Sequence, residues 1–444
     1  MKIRAWRQAR WILAAALAVP ACRQDNSNPQ PDPSGTPVAP GPNEWPMYGH
    51  DPARTSHNPA ETALNAAAVP RLAARWQAFV DIGPLPPSCS PAVAGGRVFA
   101  CSSRTDGDNF FAFDAATGRP LWTADLGRPG SGTVGIGASP AVSGSVVVAG
   151  GADGAYYGLD AATGAILWRH DLEERNGFAW ASPLVANGRV YVGVSSEGEP
   201  PGSGAVRALD LATGALLASQ SIVPDGVLGG DIWNSPALTP DGQTLVIATG
   251  NDFGGYDGPY TRAIVALDPM TLTIKEARQE AAPGLDLDFG TTPVVFRDRQ
   301  GRTLTAAHNK NGTLYAYELG RLVAGAIWKR QNGLAVGLMP AFDSTLGTLF
   351  YAGDNGQLFG VDPASGADRW PSVAVGFMNG NLALANGLLF ASSGGRVFVL
   401  DAASGRVLRS LSPDNPGRSF SGVVVAGSAI YWMSGGYLNA WGLP

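Results

Sequence analysis

Cysteine and charge are both scarce in this sequence. Three cysteines occur in 444 residues, Cys22, Cys89 and Cys101. Neither Cys-x-x-Cys-His nor a pair of Cys-x-x-Cys motifs is present, so covalent c-type haem and a cysteine zinc site are not expected. Charged residues make up 15% of the chain, low for a cytosolic enzyme, and the net charge is −5 with no basic stripe. Nucleic acid is therefore not an expected partner. No helical hydrophobic period of comparable strength to the pattern described next appears. The apolar run at 11–19 is too short to span a bilayer.

Turn formers are abundant instead, with Gly 59 and Pro 34. The stretch 139–168 shows how they are used. Short apolar and β-branched runs, Ser139-Pro140-Ala141-Val142, Val146-Val147-Val148-Ala149, Tyr157-Gly158-Leu159 and Ala165-Ile166-Leu167-Trp168, are separated by Gly-Ser, Asp-Gly and Asp-x-x-Thr-Gly turn signals. They read as four strands, A to D. In the C–D turn, Asp can bond the following backbone and Gly supplies the positive φ that closes the hairpin. The turn starts at 114, 160, 210, 362 and 401, with degenerate copies at Asp268 and Glu318, so successive units step by 46, 50, 58, 50, 44 and 39 residues. Four strands every ~40–50 residues is the signature of a β-propeller blade. Blades bury their faces only against one another, so the repeat overrides the two or three domains that length alone would suggest.

Residues 1–22 carry Lys2, Arg4, Arg7 and Arg10, then the apolar run, then Pro20-Ala21-Cys22, and read as an export signal. Residues 23–43, rich in Pro, Ser and Asn, read as a disordered tether. Residues 44–444 are the propeller. A lone D-like strand, Leu72-Ala73-Ala74-Arg75-Trp76-Gln77, has no A to C before it, whereas A, B and C without D end the chain (422–425, 430–432 and 437–441). The N-terminal strand is thus expected to complete the last blade, giving an all-β, eight-bladed propeller of four-stranded antiparallel blades in a closed ring with no long edge.

Strand parity sorts the loops. The Asp-x-x-Thr-Gly turns are C–D loops on the bottom face and are structural. The irregular B–C loops (105–109, 195–204, 251–260) and the D–A entries (229–233, 286–290) converge on the top face near the channel, where loop chemistry on a rigid scaffold is expected. Oxygen ligands from separate blades, a carboxylate of Glu197 or Glu199, the Asn251 amide oxygen and Asp288, could hold a hard cation such as Ca²⁺. Trp233 offers a flat apolar floor for a planar ligand, and Lys310, on another B–C loop, could neutralise an anionic one. Each has a plainer reading: Asn251 as a turn residue, Glu197 and Glu199 as solvated charges, Asp288 as a turn cap, Trp233 as packing. With the blade 1 A–B loop centred on Gly95, Cys89 and Cys101 oppose each other, and an oxidising compartment would pair them. A two-residue loop would shift that register.

Over 44–444 these residues resemble the pyrroloquinoline-quinone (PQQ) repeat family, the eight-bladed quinoprotein alcohol dehydrogenases and their non-catalytic relatives. Trp45-Pro46-Met47-Tyr48-Gly49-His50-Asp51-Pro52-Ala53-Arg54-Thr55 resembles its opening motif. Gly229-Gly230-Asp231-Ile232-Trp233 resembles the segment whose tryptophan lies under the quinone, and Ala248-Thr249-Gly250-Asn251 the one whose asparagine ligates calcium. Leu287-Asp288-Phe289-Gly290 resembles the segment of the aspartate base, with Leu287 where tryptophan is usual, and Asn309-Lys310-Asn311-Gly312 that of the basic residue near the quinone oxygens. Residues 195–199 resemble the calcium-ligand glutamate loop, with Glu197 and Glu199 both eligible. The family's vicinal cysteine pair, due at 135–139, and the arginine after it are absent; the acidic residue before the first A strand is replaced near Ser88, and Trp180 stands in place of a threonine. The resemblance implies PQQ and Ca²⁺ as cofactors, Asp288 as general base toward an alcohol, and electrons leaving to a separate acceptor. It equally accommodates a cofactor-free scaffold resembling the propeller subunit of outer-membrane protein assembly, with protein partners. Pro20-Ala21-Cys22 further resembles a bacterial lipobox, although Pro20 is unusual there. That implies lipidation of Cys22 and a protein tethered in the periplasm or at the cell surface; Arg23 favours the outer membrane, and a monomer is expected. Simple secretion with cleavage nearby is the other reading.

Overall fold

The computed structural model describes residues 40–80, 88–128, 135–172, 177–196, 201–280, 286–353, 355–378 and 380–444. Cys22, all of the stretch read as an export signal and nearly all of that read as a tether lie outside them, as do Glu197 and Glu199. Eight sheets are present, one per repeat, each built on four antiparallel strands; blade 3 adds the short strand Gly177–Phe178, and blade 7 adds His57–Asn58, paired parallel with Leu384–Ala385. Blade 1 comprises Ala92–Ala94, Arg97–Cys101, Phe110–Asp114 and Pro120–Ala124, and the meander repeats through blade 7. Blade 8 takes A, B and C from Val424–Ala426, Ala429–Ser434 and Tyr437–Gly442, and its D strand is Ala73–Phe79, paired antiparallel with Tyr437–Gly442. The N-terminal strand closes the ring, as the missing D strand of the last repeat required.

The C–D turns also explain how adjacent blades dock. In blade 2, Asp160 Oδ1 accepts the backbone N–H of Ala162 and Thr163 and the Thr163 hydroxyl, and Gly164 at φ 75° donates back to the Asp160 carbonyl. A Cβ on Gly164 would sit 2.6 Å from the indole of Trp122, the D-strand tryptophan of blade 1. That indole lies over the glycine and donates its N–H to the carbonyl of Ala161 at 3.2 Å. Trp76, Trp168, Trp328 and Trp370 make the same bond to Ala115, Leu211, Pro363 and Ala402. Glycine is thus required twice, for its backbone angle and for the ring above it. Where the blade 3 D strand (Leu216–Ser221) has no tryptophan, the glycine is replaced by Leu272, which fills the space itself, fully buried, at φ 60°.

Residues 45–58 line the inner edges of the A strands. Trp45 pairs with Val93 of blade 1, and the carbonyls of Pro46, Pro52, Ala53, Thr55 and Ser56 accept from Val142, Leu238, Val295, Phe342 and Leu384 of blades 2, 4, 5, 6 and 7. Arg54 donates to the carbonyls of Ser182 and Pro183 of blade 3, and Asn58 Nδ2 to that of Val425 of blade 8. One short segment therefore bonds to every blade. His50, Arg54 and Ser56 hold positive φ to do so. A second ring lies above it. Backbone N–H groups of Gly422, Ser90, Ser139, Ser182 and Ser235 each donate to the side-chain oxygen of the next blade's Ser90, Ser139, Ser182, Ser235 and Thr292.

The blade 1 hairpin departs from expectation. Its turn is the two-residue Gly95-Gly96, and the register is Ala92↔Phe99, Val93↔Val98 and Ala94↔Arg97, so Cys89 and Cys101 are not directly opposed. They are nonetheless joined in a buried disulfide, with Cα atoms 6.0 Å apart. Cys89 lies before the ladder begins at Ala92, where the chain is not bound to the register.

Two outcomes follow for stability. Removing residues 425–444 strips blade 8 of strands B and C and leaves the D strand unpaired; loss of any cooperative transition in thermal circular dichroism is expected. Trp122→Ala leaves a cavity over Gly164 and should cost about 3–5 kcal/mol in denaturant unfolding.

Candidate functional site

On the top face the channel opens into a cavity of 1490 Å³ lined from all eight blades, with Tyr48 of the 45–58 segment also in its wall. Tyr48 is bonded to Asn381 and Thr292, and burial raises its phenol pKa. The carbonyl of Tyr48 and that of Pro236 accept from the buried guanidinium of Arg54. Burial draws that guanidinium down to about 10, against the charges of Tyr48 and Asp51, so it stays cationic at neutral pH.

The chemical groups gather on blades 4 and 5. The entry 286–290 runs beside the B–C loop of the same blade: Phe289 bridges Asn309, Lys310 N donates to the Asp288 carbonyl (2.8 Å), and Gly290 N to that of His308 (2.8 Å). This brings Lys310 Nζ to 2.7 Å from Asp288 Oδ1 and 2.7 Å from Asp286 Oδ1. The entry 229–233 is clamped between blades 3 and 4, Ile232 N donating to the Val194 carbonyl and Gly230 N to that of Asn251. It presents Trp233, whose Nε1 donates to Asp288 Oδ2 at 2.7 Å and whose ring centroid lies 5.0 Å from Lys310 Nζ. The last contact is a cation–π pair. Asn251 joins through Nδ2 to Asp286 Oδ1 (2.8 Å), and its Oδ1 accepts from Leu287 N (3.2 Å).

Trp233, Asn251, Asp288 and Lys310, from four separate loops, thus meet in one bonded cluster. Asp286 belongs to it as well and Asp231 lies beside it, close enough for its carboxyl to feel the Asp288 charge, although sequence reasoning assigned them no role. The signal for Asp286 was its spacing: residues 286 and 288 alternate onto the same side of an extended entry. Asp231 sits two residues before Trp233 for the same reason. Among the described residues no group of three or more His, Cys, Asp or Glu side chains is arranged to hold a metal ion. The oxygens proposed for a cation are engaged here by Leu287 N–H, Trp233 and the Lys310 ammonium.

The electrostatics are uneven. Burial raises the pKa of Asp288, and Lys310 and Trp233 only partly offset it. Burial works the same way on Asp286, but there Lys310 and Asn251 win and the net shift is downward. Burial would lower Lys310, yet the two carboxylates hold it above its ordinary value. Asp231, whose Oδ2 accepts from Ser196 Oγ and whose buried Oδ1 has no partner, is pushed to about 6 by burial, with Ser196 opposing and the Asp288 charge adding.

The departures from the family pattern are coupled. A Cβ on Gly137, within the stretch where a cysteine pair was due, would lie 2.5 Å from the Trp180 ring. Trp180 Nε1 donates to the Ser196 carbonyl (3.2 Å), which fixes the indole in the cavity wall. The space for a side chain at 137 is taken by the residue that replaces the threonine.

Asp231 carries a pH dependence. Its folded pKa is raised, so the folded state holds a proton that the unfolded chain has released; this stabilisation is complete below about pH 4 and lost as pH rises through about 6. Asp231→Asn removes that loss. Thermal melts should show the variant about 1–3 kcal/mol more stable than the parent at pH 8, with the gain gone by about pH 4.

The family model described as outer membrane protein assembly factor BamB matches residues 66–257 and 296–440. A polyvinylalcohol dehydrogenase of a Pseudomonas species is 25% identical over 324 residues, 62% of this chain and 49% of the relative. The assembly factor BamB of Yersinia pestis is 23% identical over 289 residues, 63% of this chain and 65% of its own. The chain spans about half the length of the dehydrogenase it matches. The crystal structure of quinohemoprotein alcohol dehydrogenase from Comamonas testosteroni superposes with a TM-score of 0.73 at 18% identity, over 90% of this chain and 80% of that one, a likeness of fold. With the match covering most of its length, the chain belongs to the PQQ-repeat family of eight-bladed β-propellers, which includes both quinoprotein alcohol dehydrogenases and BamB.

Proposed function

We propose that the protein is an exported, membrane-tethered PQQ-type quinoprotein that oxidises an alcohol-bearing substrate, with the top cavity as its site. The observation that carries this reading is the bonded cluster of Trp233 from blade 4 with Asp288 and Lys310 from two loops of blade 5. The residues offer faces for a planar cofactor: two indoles, Trp180 and Trp233, and the Lys310 ammonium line the 1490 Å³ cavity. Trp233 and Lys310 would hold the quinone. A Ca²⁺ ion would draw on the oxygens of Asn251 and Asp288, together with Glu197 or Glu199, in place of the Leu287, Trp233 and Lys310 contacts those oxygens make in this structure. When bound, the quinone supplies the hydride acceptor and the ion a Lewis acid.

The chain's own part is to receive the hydroxyl proton. Asp288 is nearly fully buried, and burial raises its pKa, which makes its carboxylate the stronger base. Lys310 keeps that carboxylate ionised, and the Trp233 N–H orients it by occupying Oδ2. Asp286 shares the ammonium, so Lys310 stays positioned between two anions. Segment 45–58 lines the channel beneath the cavity.

The second reading is a cofactor-free lipoprotein scaffold with protein partners on the top face. It is favoured by the BamB description of the matching family model and by the apolar side chains exposed around the cavity mouth. Titration of the purified protein with PQQ, with and without Ca²⁺, separates the two by absorbance. Calcium-dependent binding weakened at least about tenfold (about 1.4 kcal/mol) by Asn251→Ala is expected. No binding at any calcium concentration would sink the dehydrogenase reading.

A further inference from the structure

The cavity is divided by polarity. Apart from Tyr48, its ionisable lining groups among the described residues all come from blades 4 and 5. Among the described residues, blades 6 to 8 contribute only glycine and apolar side chains, among them Leu334, Val336, Phe377, Met378 and Phe420. Four of these face solvent at the mouth: Leu334 is 40% exposed, Val336 42%, Phe377 58% and Phe420 44%. Large apolar groups gathered at one opening are a binding signature, whereas single ones scattered over a surface are not.

The apolar arc is also built, not frayed. Gly337 N donates to the Gly290 carbonyl at 2.8 Å, and a Cβ on Gly290 would lie 2.3 Å from the Ala335 carbonyl oxygen, so loop 334–338 packs against the backbone two residues from Asp288. Ser393 Oγ donates to the Phe377 carbonyl at 2.9 Å, and Met378 bridges Ser393. A ligand whose polar end reaches Asp288 therefore meets apolar wall on its other side.

We propose that the cavity takes an alcohol with a long apolar body, its hydroxyl at Asp288 and its alkyl chain along blades 6 to 8. The assignment of the hydroxyl to Asp288 rests on the dehydrogenase reading; the alkyl preference rests on the arc. A small alcohol such as ethanol leaves the arc wet, whereas each methylene laid against it removes apolar surface from water.

The test uses saturation-transfer NMR with ethanol, 1-butanol and 1-octanol on the protein without quinone. Affinity is expected to rise about two- to fourfold per methylene, the fully buried limit being about fourfold. The double variant Phe377→Ser and Phe420→Ser should weaken 1-octanol by about tenfold, as loss of two aromatic contacts implies, and leave ethanol unchanged. Both side chains are exposed, and an unchanged far-ultraviolet spectrum checks that the variant folds. A chain-length series that is flat, or 1-octanol binding untouched in the double variant, would overturn the proposal and direct attention to a protein segment on the same arc. Because no quinone is present, a flat series beside intact calcium-dependent PQQ binding removes the substrate class alone. A steep series without PQQ binding supports the apolar pocket and removes the dehydrogenase reading.

Discussion

The structure depends on how the inner edges of its eight A strands find hydrogen-bond partners. An open edge presents a row of unpaired N–H and C=O groups, and here eight such edges face one channel. Segment 45–58 answers all of them, through carbonyls to five blades, a paired tryptophan at the first, an arginine at the third and an asparagine at the last. Three non-glycine residues take left-handed backbone to make the path possible, a local strain held in place by the surrounding contacts. The buried Arg54 guanidinium, bonded to carbonyls of its own segment and of blades 3 and 4, ties that path to those two blades.

Rigidity at the rim has a different origin. Tryptophans on five outer strands lie on the glycines of neighbouring turns, so at five of the eight junctions a blade is set against the next by a ring stacked on bare backbone and one indole hydrogen bond. The angle between blades is thereby fixed far from the channel, which leaves the top loops free to vary. Blades 4 and 5 use that freedom for charge and blades 6 to 8 for apolar surface, and a single cavity with two poles results.

The cluster of Asp286, Asp288 and Lys310 shows how environment separates like residues. Two carboxylates share one ammonium, yet burial dominates at Asp288 and the ammonium dominates at Asp286, so their pKa values move in opposite directions. The more buried group is the better proton acceptor and the more exposed one remains a fixed anion. Membership of a family containing both dehydrogenases and an assembly factor makes this local chemistry, and not the fold, the ground for a functional reading.

Much of this was legible in the chain. The Asp-x-x-Thr-Gly turns need only local backbone chemistry, so their spacing determined the repeat, the number of blades and, through the missing D strand, the closure of the ring. Strand parity, equally local, assigned Trp233, Asn251, Asp288 and Lys310 to one face. Tertiary structure alone decided the rest. The role of segment 45–58 depends on partners in eight blades up to 367 residues away, the proximity of Cys89 to Cys101 on chain lying outside the ladder register, and the parts of Asp231 and Asp286 on burial. The apolar arc of blades 6 to 8 had no signature because its residues are ordinary core types; only their position at an open mouth, which no local pattern encodes, makes them a surface.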